Sequence, residues 1–147
     1  MGATEKMRMR GQKPIASKDY KDDHYTPSKV YSPLGPFDLD PCAGPNSIAT
    51  TNYDYSKGQD GLVLPWSGFW WCNPPYSLKE AFLARCAANP NGFALLPNTT
   101  EAIWWQRAAN QCHAFFLLQG RIPYIQNGKE NRANTKGPPT SPTGKRR

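Results

Sequence analysis

With 147 residues the chain has room for one domain with a real core but not for two of ordinary size, and no run approaches the ~18 apolar residues of a membrane span. Its formal charge of +7 is concentrated at the ends: +3 in the first 13 residues, +5 from Gly128 onward and −1 between them. These features speak against a multidomain or helical membrane protein and leave a nearly neutral body with basic arms, which attract a polyanion such as DNA. The four cysteines form no C-x-x-C pair and only two histidines accompany them, so no metal site is expected. Free thiols and the lack of an apolar signal core point to a soluble protein of a reducing, cytoplasmic compartment.

In chain order, residues 1–19 read as a flexible basic arm, 20–126 as the folded domain, and 127–147 as a flexible basic tail rich in Pro and Gly. Residues 68–72 and 92–96 are short apolar runs bounded by Gly, Asn and Pro, the pattern of strands buried on both faces. Between them, Ser77-Leu78-Lys79-Glu80 has the S-x-x-E capping spacing, which predicts a helix to about Ala88 with Leu78, Phe82 and Cys86 on its buried stripe. Asn98-Thr99-Thr100-Glu101 predicts a second helix reaching Asn110, with Ile103 and Trp104 towards the core, and residues 114–118 predict a third strand. Alternating strands and helices imply an α/β fold with right-handed crossovers and a mostly parallel sheet. Ligands settle at the carboxyl ends of such strands, directly after Cys72 and Leu96.

Asn73-Pro74-Pro75-Tyr76 occupies the first of those positions. Consecutive prolines stiffen the loop and carry no N–H, so its carbonyls lack local donors. An exocyclic adenine amine is a weak nucleophile that gains positive charge as it attacks a methyl group. Acceptors aimed at its two hydrogens would stabilise that charge: the Asn73 side-chain oxygen and the Pro74 backbone oxygen are the candidates, with Tyr76 expected to stack on the base. A base inside a duplex must be extruded to reach such a loop.

Several ordered segments carry a family resemblance: His24-Tyr25-Thr26-Pro27, Phe37-Asp38-Leu39-Asp40-Pro41-Cys42-Ala43, Asp60-Gly61-Leu62 with Pro65-Trp66, and Trp71-Cys72-Asn73-Pro74-Pro75-Tyr76. From about Tyr20 to Tyr124 the chain resembles the small Dam-like DNA N6-adenine methyltransferases of phages and prophages. The resemblance implies a Rossmann-like methyltransferase fold, S-adenosyl-methionine as cofactor and double-stranded DNA as partner. Asn73, Pro74, Pro75 and Tyr76 are then the catalytic set. Tyr25, Thr26 and Pro27 help close the donor pocket; Asp40, Pro41, Cys42 and Ala43 form the loop beside the donor's methionine end, with Asp40 holding its amino group. Asp60 accepts from the donor's adenine amine, with Leu62 against the ring. The Gly-rich loop usual in the family is reduced here to Gly44, followed by Pro45.

Similar proteins continue after Arg121-Ile122 into a last hydrophobic strand, whereas this chain runs into Gly137-Pro138-Pro139 and a basic end, so that strand is expected to be missing. Two other functions stay open on the sequence. A glutamine-side-chain methyltransferase uses the same loop on a planar amide, and an inactive DNA-binding remnant fits the basic ends and the missing strand.

Overall fold

The computed structural model describes residues 24–131. The chain forms α1 (Ser28–Tyr31), β1 (Leu39–Asp40), β2 (Thr51–Asn52), β3 (Trp70–Cys72), α2 (Lys79–Ala88), β4 (Gly92–Ala94), α3 (Ile103–Gln111), β5 (Ile125–Gln126) and β6 (Lys129–Glu130). The first four strands make one parallel sheet in the order β2-β1-β3-β4. The class is α/β with a parallel sheet, as its alternating apolar runs imply.

Alternation along β3 divides the core between the two faces of the sheet. Trp70 and Cys72 pack with Leu39, Trp66 and with Phe82 of α2 on one side. Trp71 packs with Tyr31 of α1, Phe37 and Ala49 on the other. Leu78 and Cys86 flank Phe82 against the first cluster, so the expected stripe of α2 is the face it buries. Two of the three buried indoles donate to backbone: Trp66 to the Gly61 carbonyl at 2.7 Å and Trp70 to that of Asn89 at 2.6 Å.

Several expected elements differ. The sheet strands are shorter than their apolar runs, and α2 starts at Lys79 rather than being capped by Ser77. The prolines fix the approach, and the Pro75 carbonyl accepts the Leu78 N–H at 2.9 Å, so residues Tyr76–Leu78 tighten into a 3-10 turn first. The second helix starts at Ile103 after Ala102, whose side chain makes no capping bond. Ile103 faces solvent at 71% exposure instead of entering the core.

Residues 114–118 form no strand, and Phe115, Phe116, Leu117 and Leu118 are exposed. Apolar composition marks a segment that gains by burial, but a strand also needs a ladder partner, and among the described residues the sheet stops at β4. Beyond them β5 and β6 form an antiparallel hairpin. Its turn has positive φ at both Asn127 (49°) and Gly128 (74°), the geometry for which an Asn-Gly pair is suited.

Candidate active site

The chain leaves β1 towards β2 on one side and later returns to place β3 on the other. The loops after β1 and β3 therefore diverge from a switch point, where a crevice opens at the strand ends. A cleft of about 570 Å³ lies there, a size that suits a small-molecule ligand. The catalytic set expected from the sequence, Asn73, Pro74, Pro75 and Tyr76, lines it, as do Tyr25, Thr26, Asp40, Pro41, Cys42, Ala43, Asp60 and Leu62. Pro27 sits behind the wall, buried, at the start of α1, where its carbonyl accepts the Val30 N–H at 2.9 Å.

The Asn73 amide is held by its hydrogens. Its Nδ2 donates to the Thr26 hydroxyl at 2.9 Å and to the His24 carbonyl at 3.2 Å. With both N–H groups engaged, Oδ1 is the acceptor left for a ligand. Thr26 is buried, so the hydroxyl that orients the amide is itself fixed. The Asn73 carbonyl accepts from the Cys42 thiol at 3.1 Å, and the Pro75 carbonyl is engaged in the turn. That leaves the Pro74 carbonyl as the loop's second acceptor.

Asp40 ends β1 as a buried carboxylate, accepting from Ser47 Oγ at 2.7 Å and from the Cys42 N–H at 3.1 Å. Burial pushes its pKa up to about 6, with the two hydrogen bonds opposing part of the rise. Cys42, Cys72 and Cys86 carry free thiols near β3, with 3.6 Å between the sulfurs of Cys42 and Cys72. Burial drives the Cys72 thiol well above its ordinary range, keeping it neutral rather than a nucleophilic thiolate. Among the described residues no group of His, Cys, Asp or Glu side chains is arranged to hold a metal ion, and no helix is long and apolar enough to cross a membrane.

Asp60 folds its carboxylate onto the Leu62 N–H at 2.9 Å, so a turn role and a place in the cleft wall coexist. The glycine beside it is tightly constrained. A Cβ on Gly61 would run into the carbonyl oxygen of the buried Pro41, and one on Gly44 into the ring of Tyr25. Gly61→Ala is therefore expected to cost about 1–3 kcal/mol in urea denaturation, because a backbone atom beside the Asp40 loop must shift. A variant as stable as the parent chain would mean the loop yields freely.

A DNA N-6-adenine-methyltransferase (Dam) family model matches residues 14–140. The chain belongs to that family. It is accordingly a methyltransferase of a family whose members act on DNA adenine. No curated protein and no solved structure matches it.

Within this Dam-family methyltransferase, sequence reasoning missed several residues at the cleft. Ser47 supports the Asp40 carboxylate, Tyr53 and Tyr55 line the wall beyond β2, and Tyr124 lines the cleft beside His24, with 5.9 Å between their ring centroids. His24 is joined to the hairpin through Gln126, whose Nε2 lies 2.8 Å from its Nδ1, and Tyr25 pairs with Ile125. None of these pairings follows a local spacing. Only the Asn127-Gly128 turn leaves a signal in the sequence.

Proposed function

We propose that this methyltransferase moves a methyl group from S-adenosyl-methionine to N6 of an adenine extruded from duplex DNA, on a Rossmann-like methyltransferase sheet. The observation that carries the reading is the Asn73 amide in the cleft wall, clamped through both hydrogens so that Oδ1 is left as an acceptor, with the Pro74 carbonyl in the same lining loop. An amine presenting two hydrogens matches two acceptors, and Tyr76 offers an exposed ring for the base to stack on. The donor, when bound, supplies a methyl group on a cationic sulfur.

The residues present fit that donor. Asp40 offers a buried negative charge to its ammonium, Asp60 an acceptor to its adenine, and the crowding at Gly44 and Gly61 leaves backbone close to the cleft. The transfer forms a nitrogen–carbon bond, breaks a carbon–sulfur bond and releases one N6 proton. Asn73 and Pro74 stabilise the charge developing on nitrogen, so no covalent enzyme intermediate is needed. Free thiols agree with action in the reducing cytoplasm of a bacterial host carrying the phage or prophage. Between residues 24 and 131 seven lysines and arginines balance seven acids, so the general attraction to phosphate comes from the segments outside that range.

The test is transfer of labelled methyl from S-adenosyl-methionine to unmethylated duplex DNA, followed by nucleoside analysis. Label in N6-methyladenine is expected. Donor binding without transfer would overturn the reading and leave an inactive DNA-binding remnant, while label in protein glutamine would redirect it to the amide substrate. Thr26→Val, which removes one of the two bonds that orient Asn73, is expected to lower kcat about five- to tenfold with donor KM unchanged. An unchanged kcat would mean that the His24 carbonyl alone sets the amide.

A further inference from the structure

Charge is divided across the cleft. Its walls carry three carboxylates: Asp40 at the end of β1, and Asp54 and Asp60 after β2, of which Asp54 pairs with Lys57 at 3.4 Å. Lys79, the first residue of α2, is the one lysine or arginine among its lining residues, and it stands at the Tyr76 end. Its ammonium lies 4.1 Å from the centroid of the Tyr76 ring and 5.3 Å from that of Trp104, and donates to the Tyr76 carbonyl at 3.3 Å. An ammonium over an aromatic face is held weakly where water reaches it, and Tyr76 is 53% exposed.

A cation and a base compete for that face. A base stacking there must displace the ammonium, and an extruded nucleotide brings its own phosphate into the same space. From this geometry, and resting on the proposed adenine methylation, we infer that Lys79 is a positioning residue: it covers the Tyr76 ring until the target base replaces it, then pairs with the phosphate beside the extruded nucleotide. The four-carbon stem lets one ammonium serve both places without backbone movement. The carboxylates at the far end repel phosphate, which keeps the nucleotide at the Tyr76 end and the cationic donor at the other.

The experiment compares the parent chain with Lys79→Met and Lys79→Arg on one duplex, reading the slope of log affinity against log salt and the DNA KM for N6-adenine methylation. Each phosphate contact contributes about −0.9 to that slope. Lys79→Met is expected to lose about one unit of slope and to raise the DNA KM about five- to tenfold, with donor affinity unchanged; Lys79→Arg is expected to restore the slope. An unchanged slope in Lys79→Met, even with weaker binding, would reduce Lys79 to packing on Tyr76 and overturn the inference. Methylation by the parent chain in the same assay separates this failure from failure of the proposed function, because a parent chain that leaves adenine unmodified overturns both.

Discussion

Asn73→Ala is expected to lower the methyl-transfer rate about 100- to 1,000-fold while leaving the affinity for S-adenosyl-methionine within about twofold of the parent chain. On the proposed reading, the variant removes Oδ1, one of two acceptors for the amine, at the moment when nitrogen becomes positive. It also leaves the Thr26 hydroxyl and the His24 carbonyl without their donor, so a stability loss of about 1–3 kcal/mol accompanies it. Asn73→Asp separates the two effects. It keeps the shape and an acceptor but replaces the Nδ2 donor with a second oxygen facing the His24 carbonyl, so the orienting bonds are lost while packing remains. Single-turnover rates with saturating donor and DNA provide the measurement; Asn73→Ala retaining more than a tenth of the parent rate would remove Asn73 from the chemistry.

The second large effect is expected at Asp40. An acid whose pKa rises from 3.8 to about 6 on folding binds its proton more tightly in the folded chain than in the unfolded one. Stability therefore falls as pH rises between those values, and above pH 6 the buried charge costs about 3 kcal/mol. A ligand ammonium placed against the carboxylate reverses the preference. Affinity for the stable product S-adenosyl-homocysteine should then be constant above about pH 7 and fall about tenfold by pH 5, as the proton competes with the ligand. Asp40→Asn should bind it about a hundredfold more weakly at pH 7, with little pH dependence left, while the ligand-free chain becomes more stable. Calorimetric titration across pH 5–8 decides this, and a pH-independent affinity in the parent chain would place the ammonium elsewhere.

The sequence was most legible where local chemistry and local structure coincide. The Asn73 to Tyr76 loop announces itself by two prolines after an apolar run, and the structure sets it at the end of β3 beside Asp40. The stripe of α2 was readable because Leu78, Phe82 and Cys86 recur every four residues. Residues 114–118 misled because hydrophobicity reports a wish for burial and not a pairing partner. The Thr26–Asn73 bond spans 47 positions and the His24–Gln126 pair 102, so neither leaves any periodic trace. Thr26 was expected to help close the donor pocket; it lines the cleft, and its hydroxyl also accepts from the Asn73 amide.

The bridge between Tyr25 and Ile125 has a consequence for how DNA is met. Tyr25 donates to the Ile125 carbonyl at 3.1 Å, and Asn131 donates to the Tyr124 carbonyl at 2.8 Å. The chain thus enters and leaves its described body at neighbouring points, next to the amide of Asn73. Residues 1–23 carry a net +2 and residues 132–147 a net +5, against zero for the body between. The net positive charge of the sequence thus belongs to the segments outside residues 24–131, which join a body of zero net charge at that one edge. In the field of a duplex, a neutral body with its net charge attached at one edge is subject to a torque as well as a pull, which would turn that edge towards the phosphates.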